Sequence, residues 1–130
     1  MMKLFKHRKV TRLALSGALL MALLSGCEYE YIQEPVLPPI TTELKFSTEI
    51  LPIFNEKCNT SGCHATGGIA PDLSPANAYN SLMTGGYVST EDPSGSVLYH
   101  VITTGSMKSF STAEYNQKIL TWIEQGAKNN

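Results

Sequence analysis

The chain has 130 residues, of which 42% are apolar and 16% are charged, a composition that predicts one soluble globular domain. Beyond residue 26, five Lys oppose eleven Asp and Glu, so that part of the chain has a formal charge of 5 − 11 = −6. This acidity argues against a nucleic-acid partner and against direct adhesion to anionic lipid.

Residues 1–26 have the layout of an export signal. The opening MMKLFKHRKVTR carries five of the ten Lys and Arg residues, and an apolar run of twelve residues, Leu13 to Leu24, follows it. A permanent membrane helix needs about 20 apolar residues, so this run is too short to cross a bilayer. We therefore predict a signal peptide over residues 1–26, with a membrane anchor helix or a buried core helix as the alternatives.

The end of this segment, LSGC at Leu24 to Cys27, resembles a bacterial lipobox. The resemblance implies that the signal is cut before Cys27 and that Cys27 is acylated, which anchors the protein to a membrane. Plain secretion with an unmodified Cys27 thiol is the alternative. Glu28 and Glu30 are compatible with onward transport, so we expect an exported lipoprotein of the cell envelope, with the outer membrane preferred.

Residues 27–45 follow as a predicted tether. This stretch contains three prolines, no glycine and no sustained hydrophobic period, so we expect it to be extended. Its eighteen residues after Cys27 would reach at most about 55 Å. The remaining residues, 46–130, would form a domain whose core is marginal unless a disulfide, a metal or a cofactor supports it.

The elements of this domain are predicted to be helices. The first starts at Ser47 as N-cap, places Ile50 and Phe54 on one face, and leads to Cys58. The second starts with Ser74 as its cap.

A third helix is closed by Gly105, and the last has a capping box at Ser111 and Glu114 and ends at Gly126. No run of residues alternates with period two for long, so the predicted fold class is small and all-α.

The stretch CNTSGCH, Cys58 to His64, carries the strongest chemical signal. Attachment of a c-type haem needs two thiols for the vinyl groups and an adjacent imidazole for the iron. Thiols five positions apart on a regular helix would diverge by about 140°, so the spacer must loop. Its residues, NTSG, all favour turns. A Cys58–Cys63 disulfide is the main alternative, and a zinc site is a weaker one.

The sequence ILPIFNEKCNTSGCH…APDL…GSMKSF…ILTWIEQGAKNN resembles the class I cytochrome c family, and in particular the small c-type domains of bacterial lipoproteins. The resemblance covers essentially all of Phe46 to Asn130, although the cysteine spacer is two residues longer than usual. It implies a helical domain wrapped around one covalently bound haem c. Phe54 and Trp122 would pack where the first and last helices cross.

The same resemblance implies the roles of single residues. Cys58 and Cys63 would form the thioethers, and His64 would be the proximal iron ligand. The remaining expected roles are a Pro71 carbonyl that accepts from His64 Nδ1, a Leu73 side chain against the haem face, and Met107 as the sixth ligand.

Alternatives remain for the sixth ligand and for the function. His100 is the main competitor for the iron and Met83 is a minor one, while Met107 could simply fill space in the core. The leading hypothesis is an electron carrier that is not an enzyme and has a redox protein as its partner. The others are a haem enzyme or a gas or peroxide sensor with an open sixth site, and a haem-free binding module held by a disulfide.

Overall fold

The computed structural model describes residues 36–130, and this part of the chain is all-α. A π-helical segment, Phe46–Ile50, continues directly into α1 (Leu51–Lys57), and α2 (Ala78–Thr84), α3 (Val97–Thr103) and α4 (Ala113–Glu124) follow. A short 3₁₀ turn, Lys108–Phe110, precedes α4. Residues 36–130 contain no strand, as predicted. The predicted signal peptide and Cys27 lie outside the described residues.

Among the described residues, fifteen buried apolar side chains form the core, which is centred on aromatic rings. The ring centroid of Phe46 lies 5.3 Å from that of Trp122 and 6.4 Å from that of Phe54, and the Tyr79 ring meets Phe46 edge-on at 5.3 Å. Trp122 has no exposed surface, and its indole N–H donates to the Lys128 carbonyl at 2.9 Å. The last helix thus packs against the π-helical segment through large rings, which agrees with the packing role expected for Phe54 and Trp122.

The predicted start of the first helix was wrong. Lys45 is the residue before the first helical position, and its N–H donates to the Glu49 carboxylate at 2.7 Å. The N–H of Ser47 instead donates to the Asn130 carbonyl at 3.0 Å. The Glu49 carboxylate, one turn into the helix, therefore satisfies the N–H of Lys45, and no side chain caps the start of this helix.

The other two predicted caps were also displaced. Helix α2 begins at Ala78, because Ser74 opens a turn whose carbonyl accepts from the N–H of Asn77 at 3.0 Å. Helix α4 is capped by Thr112, whose hydroxyl accepts from the Tyr115 N–H at 3.2 Å, and not by Ser111. Ser111 and Thr112 are adjacent and both are cap-forming residue types, so the sequence leaves the start of α4 open by one position.

The helix ends agree better with the sequence. Gly105 closes α3 by donating its N–H to the His100 carbonyl at 3.0 Å. After α4, Gly126 has a φ of 94°, a value that glycine adopts without strain.

Residues 38–44 run alongside α4 and form hydrogen bonds with glutamines in it and directly after it. The Gln125 amide accepts from the Leu44 N–H at 2.8 Å and donates to the Thr42 carbonyl at 2.9 Å. Gln117 donates to the Pro38 carbonyl at 2.7 Å, and the Leu44 side chain is buried in the core. The folded unit therefore includes residues that precede the predicted boundary at Phe46. None of the helices in residues 36–130 has the length and hydropathy of a bilayer crossing.

Candidate functional site

Cys58 lies at the end of α1 and Cys63 lies on the loop that follows. Cys58 is half-buried against the core, its N–H donates to the Phe54 carbonyl at 2.9 Å, and Cys63 is exposed. Both are free thiols. Burial raises the pKa of the Cys58 thiol, and the charge of Cys63 adds to the rise.

The spacer between the cysteines forms the predicted turn. Thr60 donates its N–H to the Cys58 carbonyl at 2.9 Å, and Cys63 donates to the Thr60 carbonyl at 2.9 Å. Gly62 has a φ of 81°, which a residue with a side chain rarely adopts. The His64 N–H also donates to the Cys58 carbonyl at 3.2 Å, so the turn brings the backbone of the second cysteine and the histidine back to the end of α1.

The His64 ring is oriented by two backbone carbonyls. Its Nδ1 lies 3.1 Å from the Pro71 oxygen and 3.0 Å from the Ile69 oxygen. A carbonyl oxygen can only accept, so Nδ1 is the donor, and in the neutral ring the lone pair then lies on Nε2. The Pro71 contact is the one that the family resemblance implied. The Ile69 contact was not predicted from the sequence.

Gly68 permits the tight loop that carries this second carbonyl. A Cβ added at Gly68 would clash with the Cys63 carbonyl oxygen and approach the Ala65 oxygen to 3.0 Å. The Ile69 N–H then donates to the Cys63 carbonyl at 2.7 Å. The adjacent glycines Gly67 and Gly68 are the sequence feature that indicates this close approach.

Leu73 and Asp72 connect the loop to the core. The Leu73 N–H donates to the His64 carbonyl at 2.7 Å, and the Leu73 side chain is only 3% exposed. The Asp72 carboxylate accepts from the Ser74 N–H and from the Asn77 amide, each at 2.9 Å. The Ser74 side chain is the largest cause of the lowered pKa of Asp72, and the Ser74 N–H and the Asn77 amide lower it further. The backbone between His64 and α2 is therefore tied at several points.

The end of α1 that carries Cys58 is joined to α4 by a hydrogen bond. The Tyr115 hydroxyl donates to the Glu56 carboxylate at 2.8 Å, and Lys57 contacts the other Glu56 oxygen at 2.7 Å. Lys57 is the larger cause and Tyr115 the smaller cause of the lowered pKa of Glu56. This link lies two residues before Cys58 and connects that end of α1 to α4.

Among the candidates for a sixth ligand, Met107 and His100 differ in burial. Met107 precedes the 3₁₀ turn, donates its N–H to the Val101 carbonyl at 3.0 Å, and is half-buried against the core, as Met83 is on α2. His100 lies on α3 and is exposed. Within residues 36–130, no hydrogen bond joins the Met107 loop to the Cys58–Leu73 segment. The structure thus assembles the two cysteines, His64 and Pro71 into one site and places Met107 on a separate loop.

A cavity of about 200 Å³ lies elsewhere, between the π-helical segment and α2. Its lining contains none of the predicted site residues. Nor do residues 36–130 contain a cluster of three or more His, Cys, Asp or Glu side chains that could hold a metal ion by themselves. The chemical groups available at the site are therefore two thiols and one imidazole.

Comparisons with models of known protein families, with curated proteins and with solved structures gave no match.

Proposed function

We propose that this protein is a membrane-anchored mono-haem c-type cytochrome domain that carries electrons between redox partners. The observation that carries the proposal is the orientation of His64. Its Nδ1 lies 3.0 and 3.1 Å from two carbonyl oxygens, which accept its proton and leave Nε2 free. The two cysteines that precede it in the chain are reduced. A metal-binding histidine usually has its other ring nitrogen held by such an acceptor.

The groups present fit the chemistry of covalent haem attachment. Each thiol of Cys58 and Cys63 would form one thioether bond with the cofactor, and the two cysteines lie at the two ends of a turn that brings their backbones together. His64 Nε2 would bind the iron on one side and Met107 sulfur on the other. When bound, haem c supplies a one-electron couple between ferric and ferrous iron. The helical domain would wrap around it.

The chain's charge and its first residues support the rest of the proposal. A formal charge of 5 − 11 = −6 beyond residue 26 favours a redox partner with a basic docking patch, and added salt should slow the exchange. Acylated Cys27 would hold the domain at the cell envelope, with the outer membrane preferred. A carrier with both axial positions filled by its own residues leaves no open metal position for a substrate, which is why we propose a carrier and not an enzyme.

Mass spectrometry of the peptide that contains residues 58–64 tests the proposal directly. Protein made in a host with haem-attachment machinery should yield this peptide with about 616 Da added. A Cys58–Cys63 disulfide would instead remove about 2 Da, and that result with colourless protein would refute the cytochrome assignment. The double variant Cys58→Ala, Cys63→Ala is the control and should show neither change.

Two substitutions test the iron ligands. His64→Ala should abolish stable haem incorporation, because no other imidazole in residues 36–130 is held next to the cysteines. Met107→Ala should keep the covalent haem, lose the sulfur-to-iron absorption band and lower the potential, since a thioether ligand favours ferrous iron. Met83→Ala is the matched control and should leave the spectrum unchanged. If His100→Ala removed the sixth ligand and Met107→Ala did not, the sixth ligand would be His100.

A further inference from the structure

The Nδ1 atom of His64 has two carbonyl oxygens within hydrogen-bonding distance, although it carries one proton. The Pro71 oxygen lies at 3.1 Å and the Ile69 oxygen at 3.0 Å. The contact with Pro71 is the one that the family resemblance implied, and the contact with Ile69 is additional. The two acceptors are two residues apart on one loop, so the backbone of this loop has to direct both carbonyls toward the ring.

Backbone hydrogen bonds fix the position of the Ile69 carbonyl relative to His64. The Ile69 N–H donates to the Cys63 carbonyl at 2.7 Å, and the Gly68 N–H donates to the Ala65 carbonyl at 2.8 Å. The two accepting residues are the direct neighbours of His64 in the chain. Residues 63–69 therefore form one closed turn, and this turn sets where the Ile69 oxygen meets the imidazole.

The closed turn requires a glycine at position 68. A Cβ added there would overlap the Cys63 carbonyl oxygen and lie 3.0 Å from the Ala65 oxygen. Both oxygens are backbone atoms that accept the hydrogen bonds of the turn, so they cannot move aside without opening it. A Cβ added at Gly67 would meet no atom within 4 Å. Of the two adjacent glycines, only Gly68 is required by close contact.

We propose that Gly68 is a positioning residue for His64, because it brings the Ile69 carbonyl to Nδ1 as a second acceptor, and that this second hydrogen bond strengthens Nε2 as a ligand. The consequence at the iron rests on the proposed function, whereas the effect on the ring does not need haem. An acceptor on the N–H of a metal-binding histidine fixes its tautomer and raises the basicity of the other nitrogen. A more basic imidazole favours ferric iron, so the Ile69 carbonyl lowers the potential.

The first test uses reduced, haem-free protein at pH 8 and determines the tautomer of His64 from the ¹⁵N chemical shifts of its ring. The wild type should have the proton on Nδ1. Gly68→Ala should lower the ratio of the Nδ1–H to the Nε2–H tautomer about fivefold, which is the size of the net effect of one hydrogen bond. Gly67→Asn is the matched control on the same loop, because asparagine tolerates the φ of 78° at that position, and it should leave the ratio unchanged.

A second variant weakens the Ile69 carbonyl without adding volume. Lactic acid in place of Ala70 converts the bond after Ile69 into an ester, whose carbonyl is a weaker acceptor than that of an amide. The N–H that is lost donates to no backbone carbonyl within residues 36–130. The ester should change the tautomer ratio in the same direction as Gly68→Ala, and it decides the outcome if the alanine variant does not fold.

The second test measures the midpoint potential of protein with covalent haem, which is checked by mass. Gly68→Ala should shift the equilibrium toward ferrous iron about threefold, which equals a rise of about 30 mV for one electron, and Gly67→Asn should match the wild type. A wild-type tautomer ratio in both the alanine and the ester variants would overturn the positioning role of Gly68. A changed ratio with an unchanged potential would overturn the effect on the iron, and the cytochrome assignment would stand. Wild-type protein without haem would overturn the proposed function, while the tautomer ratio would still decide whether Gly68 positions His64.

Discussion

Cys58 and Cys63 differ in burial, and this difference predicts different reactivities for the two thiols. The thiolate is the reactive form of cysteine, and burial raises the pKa of Cys58 with a further contribution from the charge of Cys63. Cys63 is exposed on the loop and accessible from solvent. The pair is therefore asymmetric, although the attachment of a haem uses both sulfur atoms in the same way.

We expect Cys63 to be alkylated severalfold faster than Cys58 in reduced, haem-free protein at pH 8. Iodoacetamide labelling followed by peptide mass mapping measures the two rates separately, and 6 M guanidinium chloride gives the control in which burial is lost and the rates converge. Equal rates in the folded protein would contradict the asymmetry. If both cysteines resisted alkylation until a reducing agent was added, they would form a disulfide instead.

Among the contacts between segments, the one between residues 38–44 and the last helix allows the clearest estimate of a contribution to the free energy of unfolding. Gln125 satisfies both a donor, the Leu44 N–H, and an acceptor, the Thr42 carbonyl, while Gln117 makes one bond to the Pro38 carbonyl. The Leu44 side chain adds buried apolar surface, and Lys128 pairs with Glu43 at 2.6 Å. That ion pair is exposed and adds little.

Gln125→Ala should lower the free energy of unfolding by about 1–3 kcal/mol, because it removes two hydrogen bonds and leaves the part-buried Leu44 N–H without its partner. Gln117→Ala is the matched control, and its single exposed bond should be worth about 0.5 kcal/mol. Urea unfolding of both variants measures the difference, and hydrogen exchange at the Leu44 amide should accelerate only in the first. Equal losses would mean that residues 38–44 are not held as the structure has them.

The scale of helices and segments also shows which local features a sequence reveals. The end of α4 just before Gly126 was predictable, because a glycine that follows a periodic apolar run usually marks the end of a helix. The helix starts were not, because Ser111 and Thr112 are equally good caps and only tertiary packing selects between them. The contact of Gln125 with residues 42 and 44 was hidden because a glutamine on a helix predicts nothing about a segment eighty residues away.

At the scale of the whole molecule, the fold class followed from the helical periodicity, and the turn between the cysteines followed from its residue types. The contact between His64 and Pro71 was expected only through the family resemblance, and the second contact, with Ile69, depends on a loop geometry that no periodic pattern encodes. The place of Leu73 against the haem face was likewise expected only through the resemblance. In the structure its side chain is buried, with 3% exposed.

The size of the core makes the last prediction one about the whole domain. Within residues 36–130, fifteen buried apolar residues form a small core, and Ile69 and Phe110 remain exposed. Covering about 100 Å² of apolar surface contributes about 2.5 kcal/mol, so protein with covalent haem should be more stable than haem-free protein by at least that amount. Urea unfolding of both forms measures this. The variant Cys58→Ala, Cys63→Ala is the control, and its stability should match that of the haem-free wild type, because two free thiols form no cross-link. Equal stability of the wild type with and without haem would contradict a cofactor that completes the core.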